Sequence, residues 1–193
     1  MHGGEHGLCA LAANRTPLRA GALSGSTRSY HAMRITWNEL TVGFNPDKSD
    51  ALLSDWRWLV GDAAQVVVVS ALGDLFLRDV EGCIFWLDVG AARLTQAAES
   101  AEEFQRLIQQ PDHADEWFVP QLIGDLIVSG KKLADGQCYS YKVPPMLSGR
   151  MELSNFEPTD LLVHCSMFGQ IGRQIQHLPE DTKINGFTTT SDA

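Results

Sequence analysis

From Arg34 onward, short apolar runs alternate with turn-forming residues, and the period of each run indicates its element. Thr36 to Leu40 opens with a capping box, Thr36 as N-cap and Glu39 reaching back, which predicts a short helix. Asn45-Pro46 repeats the signal, with a cap followed by proline at the first helical position. Leu52, Leu53, Trp56 and Leu59 continue at helical spacing until Gly61-Asp62. The pattern then changes. Gln65 to Ala71 is β-branched and continuously apolar, the mark of a buried strand. Leu72-Gly73-Asp74 is a turn, Leu75 to Arg78 a second strand, and Glu81-Gly82 another turn. Cys83 to Leu87 is a third strand and Arg93 to Gln96 a short fourth. Turns this close together predict antiparallel hairpins, because a parallel crossover needs a dozen or more residues.

Helical periods return at Ser100-Ala101-Glu102-Glu103, a second capping box, with Phe104, Leu107 and Ile108 as its apolar stripe and Pro111 as its stop. His113 to Ser129 reads as a further helical region, in which Pro120 either kinks the helix or marks its true first turn, with Gly130 as the C-terminal cap. Tyr139, Tyr141 and Val143 alternate with polar residues as in a half-buried strand that Pro144-Pro145 ends. Asp160 to His164 reads as the last strand, and Phe168 to Leu178 as the last helix, with Phe168, Ile171 and Ile175 in line. The expected fold class is α+β: an antiparallel sheet with helices packed on it, as one compact unit or two small subdomains sharing a core.

The first 32 residues have no such pattern, so they are read as a disordered tail or as an extension upstream of a start at Met33. They carry three arginines against one glutamate, a net +2, which leaves −11 on the remainder of a chain of net charge −9. An acidic body is a poor match for phosphate backbones and suits a basic protein partner. The longest apolar runs, such as Val66 to Val69, are far short of a membrane span. Cys9, Cys83, Cys138 and Cys165 form no CxxC pair, and all four are expected as reduced, packed thiols.

Candidate chemistry is sparse. His164-Cys165-Ser166 holds three reactive side chains, but strand neighbours point to opposite faces, and Ser166 suits a helix N-cap. His113, Asp115 and Glu116 do not share a helical face as metal ligands must. The glycines of Leu72-Gly73-Asp74 and Ser148-Gly149-Arg150 lack the phosphate-loop spacing. No catalytic, cofactor-binding or metal-binding residue is assigned. Two features suit partner binding instead. Trp56 and Trp58, two apart on a helix, cannot both face inward, which leaves Trp58 as an exposed anchor. Glu152, Glu157 and Asp160 cluster on the loop from Gly149 to Thr159, where carboxylates could meet lysine and arginine.

One stretch carries more specific information: Gly136-Gln137-Cys138-Tyr139, Tyr141-Lys142-Val143-Pro144-Pro145, Asn155-Phe156-Glu157-Pro158-Thr159-Asp160, Val163-His164 and Gly169-Gln170-Ile171. Over Gly136 to Ile175 this resembles the C-terminal domain of bacterial type VI secretion immunity proteins. Ser70 to Phe76 and Ile84 to Asp88 look like the GAD-related domain that often precedes it. Where the family commonly has Gly-Gly-Glu-Tyr, this chain has Ser148-Gly149-Arg150-Met151, which inverts a charge. The resemblance implies residues 33–110 as a GAD-related-like region, 111–185 as the immunity module and 186–193 as a flexible tail. It implies a cytoplasmic, non-catalytic antitoxin without cofactor that binds a basic DNase toxin and blocks its cleft, with Glu152, Glu157, Asp160 and Trp58 as partner-binding residues and no direct contact with nucleic acid or membrane. The alternatives are an SMI1/KNR4-like interaction module with a different partner, and an enzyme built around His164.

Overall fold

A computed structural model describes residues 35–179 together with 182 and 184, so the expectations for residues 1–32 and 186–193, and for Cys9, lie outside the described residues. The fold is α+β. Strands β1 (Gln65–Val69), β2 (Leu75–Arg78), β3 (Ile84–Asp88) and β4 (Arg93–Ala98) form an antiparallel meander in the order β1-β2-β3-β4. Strands β5 (Gln137–Tyr141) and β6 (Phe156–Asp160) form a second, two-stranded antiparallel sheet. The helices are α1 (Trp37–Leu40), α2 (Ser49–Leu53), α3 (Arg57–Val60), α4 (Ala101–Leu107), α5 (Pro111–Phe118), α6 (Pro120–Val128) and α7 (Leu161–Ile175). None of them is long and apolar enough to cross a membrane.

The central strands are apolar at every position except their last, Arg78 and Asp88, because both their faces are covered. Phe76 pairs with Trp86 across β2 and β3, and its ring meets Phe104 of α4 and Trp117 and Phe118 of α5 at 4.8–5.7 Å. Leu75, Leu77, Phe85 and Leu87 point the other way and are fully buried. Residues of both sheets and of every α-helix except the short α1–α3 segment's polar faces feed one continuous hydrophobic cluster. Thr36 closes the expected capping box on α1, and Asn45 accepts a hydrogen bond from the Asp47 amide ahead of a 3-10 turn at Pro46–Lys48.

The turn between β1 and β2 joins the two sheets. Within it Ser70 N–H donates to Asp74 O and Gly73 N–H to Ser70 O. Outward from it, Ala71 N–H donates to Leu40 O at 2.8 Å, and Ala71 O accepts from Tyr139 N–H of β5 at 2.7 Å. Gly73 sits at φ +85°, and a Cβ there would lie 2.5 Å from His164 Nε2 of α7 and 2.9 Å from Cys138 Sγ of β5. Only glycine permits that approach.

Of the two readings of Pro120, the second holds: it marks a first turn, that of α6, because it lacks an N–H and disfavours a helical residue before it, and Val119 takes φ +43°. Three other sequence expectations change. The helix through Leu52 and Leu59 is broken by a 3-10 turn at Ser54–Trp56 into α2 and α3. Pro111 does not simply stop α4; it occupies the first turn of α5 after Gln110. The largest change is at Asp160 to His164. The last strand is Phe156–Asp160, and Asp160 caps a helix that already begins at Leu161, its side chain accepting from the Val163 amide at 3.0 Å. Leu161, His164, Cys165, Phe168 and Ile171 are all buried at helical spacing.

Two glycine substitutions separate the close approach from backbone strain alone. Gly82 has φ +92° but open space where a Cβ would stand, so Gly82→Ala is expected to cost about 1 kcal/mol. Gly73→Ala adds a clash with His164 and Cys138 and is expected to cost about 2–4 kcal/mol. Urea unfolding of both variants measures this; equal losses would mean the turn is not held against α7.

Candidate functional site

The residues singled out around His164 come together, but inside the protein. His164 is fully buried, and its Nδ1 lies 2.8 Å from Ser140 Oγ on β5, itself 2% exposed. Its ring meets Phe168 edge-on at 4.7 Å, and Nε2 is buried without a hydrogen-bond partner. Burial lowers the His164 pKa to about 3, so the ring is neutral. Because residues 164–166 lie on α7 and not on a strand, His164 and Cys165 both face the core; burial pushes the Cys165 thiol well up. Ser166 is not an N-cap. It sits within α7 and its Oγ donates to Asp55 Oδ2 at 2.6 Å. Sealed from solvent, the Ser140–His164 pair has nothing to activate and serves to fasten β5 to α7.

Asp74, a residue of the same turn, went unremarked in the sequence. It is 7% exposed, and its Oδ1 accepts from the Val89 amide at 2.9 Å. Burial raises its pKa well above the usual carboxylate range, and the nearby Asp88 carboxylate adds to the effect. Asp88 is raised as well by burial, against the pull of Arg93 at 3.6 Å. No local motif announces a buried acid in a turn, since Gly-Asp after a strand is read as a solvated corner.

His113, Asp115 and Glu116 do not converge; His113 stacks on Trp117 at 4.8 Å, and the two carboxylates are exposed. Asp79, Glu81 and Cys83 do bring ligand atoms within 4.8 Å of one another. However, Asp79 Oδ1 is committed to the amides of Glu81 and Cys83 at 3.0 and 2.8 Å. Cys83 is disulfide-bonded, contrary to the expectation that every cysteine is reduced, whereas Cys138 and Cys165 are free thiols. The group therefore works as a turn.

The residues proposed for partner binding are scattered. Trp58 is half-buried, not exposed: the 3-10 turn before it lets both Trp56 and Trp58 reach α7, their rings stacking at 6.1 Å, and Trp58 packs over Gly172. The exposed tryptophan is Trp37, 40% accessible. Glu152, Glu157 and Asp160 are all exposed. Glu152 faces Arg150 at 3.7 Å. Glu157 and Asp160 are three apart on β6 and so point to opposite faces, and Asp160 is engaged as the α7 cap. They form a dispersed acidic rim, not one patch.

An open cleft of about 1030 Å³ lies among the described residues. One wall is the segment from Asn38 to Leu52; the other runs from Ile127 through the α6–β5 connection to Leu162 at the start of α7. Its base is apolar, with Val42, Phe44, Leu52, Ile127, Leu133 and Leu161.

Residues 98–172, from the end of β4 through most of α7, match the family model described as T6SS immunity protein Tdi1, C-terminal. This bears out the resemblance read from Gly136 to Ile175. No curated protein matches the chain. Among solved structures, the crystal structure of Atu4351 from Agrobacterium tumefaciens is similar at 19% identity and a TM-score of 0.46, with 67% of this chain and 66% of that chain covered.

The pH dependence of folding tests the two buried titratable groups, which act with opposite sign. Unfolded, His164 takes up a proton near pH 6.5; folded, it does so only near 3, so its burial costs stability progressively as the pH falls below 6.5. Asp74 loses its proton near 3.8 when unfolded but keeps it far longer when folded, so its burial costs stability as the pH rises above 3.8. Asp74→Asn is therefore expected to gain on the wild type with increasing pH, and His164→Gln to gain with decreasing pH. Each trend has a limiting slope of about 1.4 kcal/mol per unit. Urea unfolding from pH 4 to 7 reads both; parallel stability curves for wild type and variants would show that neither group is perturbed.

Proposed function

We propose that this chain, whose residues 98–172 match the type VI secretion immunity family model, binds a cognate secreted DNase toxin in the cytoplasm and neutralises it by blocking its active cleft. The family match over residues 98–172 carries this reading, because that span supplies β5, β6 and α5–α7 as one packed unit. The net charge of −9 supports it, since an acidic inhibitor is drawn to a basic nuclease and repelled by the DNA that nuclease binds. The role needs binding and no turnover, which fits a molecule whose Ser140–His164 pair is sealed. We read residues 33–110 as a GAD-related-like region that forms part of the same core. Glu152 and Glu157 are exposed and could steer a basic partner, with Glu152 also facing Arg150; Trp58 is a weaker choice than its sequence position implied, because it is half-buried.

Co-expression with the product of the neighbouring gene tests the reading. The two proteins are expected to co-purify, and the complex to lack DNase activity that the partner shows alone. Charge reversal at Glu152 and Glu157, with Asp160→Asn to spare the helix cap, is expected to slow association and flatten its salt dependence while leaving dissociation nearly unchanged. Co-purification with full nuclease activity retained would overturn the inhibitory reading and favour an SMI1/KNR4-like module. An association rate independent of salt would remove the acidic rim as the steering surface.

A further inference from the structure

The connection between β5 and β6 is exposed and yet braced. Residues 150–154 are all exposed, and five in a row leave no side of the chain covered, so this loop projects from the body. Its backbone is nonetheless fixed at many points. The Asn155 side chain accepts from the Val143 amide at 3.0 Å and donates to the carbonyls of Val143 and Arg150, both at 2.8 Å. Lys142 donates to Ser154 O at 2.9 Å, and Lys131, just beyond α6, to Leu153 O at 2.6 Å. The amides of Ser148, Gly149, Glu152 and Asn155 are bonded to carbonyls between Pro144 and Glu152. Gly149 passes so close to Val143 that a Cβ would lie 1.7 Å from its carbonyl oxygen. Ser148 is held at φ +65°, a conformation that a non-glycine residue keeps only where its surroundings enforce it, and such positions gather at functional sites.

The braced loop displays apolar side chains. Val143, Met151 and Leu153 are 46%, 50% and 39% exposed, three of the ten exposed large apolar residues among the described ones, and they fall within eleven positions. Single exposed apolar residues are ordinary, but these three share one ordered backbone. Contacts made by such a backbone cost little further ordering at the encounter, and methionine and arginine are enriched at interfaces. Charge does not dominate the loop, because Arg150 faces Glu152 at 3.7 Å. The whole loop also lies inside residues 98–172, the span that matches the immunity model. The Asn38–Leu52 wall of the open cleft, and the exposed Trp37 and Val80, lie outside it. A surface that serves the role of that module belongs within the matched span.

We propose that residues 148–154 are the loop that enters the toxin's active cleft, with Met151 and Leu153 seated against an apolar wall of that cleft. The identity of the partner rests on the function proposed above. Occlusion of a cleft requires an element that projects and is rigid before contact, and this loop has both properties within the matched span. The acidic rim then acts on the rate of encounter, and the apolar pair on the lifetime of the complex.

Binding kinetics of the neighbouring-gene product are measured on the full-length wild type, on Met151→Ala/Leu153→Ala, on Met151→Asp, and on Val80→Ala, an exposed apolar control outside the matched span. The double variant is expected to raise Kd about tenfold or more through faster dissociation, with the salt dependence of association unchanged. Met151→Asp is expected to weaken binding further and Val80→Ala to leave it as it is. Both loop residues are exposed, so the thermal midpoints of the free variants are expected to match the wild type, and Met151→Asp alone carries the test if the double variant loses stability. A phosphorothioate duplex, which resists cleavage, is expected to compete with the wild type for the partner. Equal affinity of the wild type and the loop variants would overturn the loop proposal and leave the immunity reading standing. Loss of affinity in the loop variants without competition from the duplex would place the loop on another face of the toxin and would also overturn it. No binding by the wild type would overturn both readings. Sedimentation of the chain alone tests the other occupant: a dimer that Met151→Asp splits would assign the loop to a second copy and overturn the proposal.

Discussion

The fold depends on one close approach. The Gly73 backbone lies against the His164 ring and the Cys138 sulfur, where any side chain would collide with both. That contact brings Ala71 O within 2.7 Å of the Tyr139 amide and so links the four-stranded meander to the two-stranded sheet through the backbone. It also explains the otherwise costly residues nearby. His164 is buried neutral with one nitrogen unpaired, and Asp74 is buried with its pKa raised well above the usual carboxylate range. Each opposes folding, and both persist because the turn holding them is bound on three sides, by Leu40, Tyr139 and α7.

Much of this architecture was legible in the sequence because its signals are local. The Thr36 box, the Asn45-Pro46 start, the four meander strands and the Gly130 cap each rest on residues a few positions apart, and each is present. The failures share a cause as well. Asp160 to His164 reads as strand when the window ends at His164, since the short apolar run Leu161-Leu162-Val163 fits either period. Extending the window to Ile175 shows the helical spacing, and Asp160 then reads as its cap. On one straight helix Trp56 and Trp58 would face apart, whereas the 3-10 turn at Ser54–Trp56 changes the angle between the two rings.

The functional reading was legible in a different sense. Composition, charge and spacing lead only to an acidic α+β protein, and the stretch from Gly136 to Ile175 adds the resemblance to an immunity family, whose model matches residues 98–172. The spatial arrangement of the residues proposed for partner binding was not legible. Glu152, Glu157 and Asp160 are close in sequence but dispersed in space, because strand alternation separates the last two and a helix cap claims one of them. The cleft assembles from segments about ninety positions apart, Lys48 on one wall and Lys132 on the other, and no local pattern announces it.

A molecule that inhibits by binding gains from a surface held rigid in advance, since ordering it at the encounter would cost affinity. The central structural claim is that the docked Gly73 turn makes the two sheets one cooperative body. Native-state hydrogen exchange at the Ala71 and Tyr139 amides measures this most directly. Both are predicted to exchange only through global unfolding, with the same free energy and denaturant dependence as the amides of Phe76 and Trp86 at the centre of the meander. Exchange of Tyr139 at clearly lower free energy, while Phe76 stays protected, would mean that the two sheets separate on their own and would contradict the account.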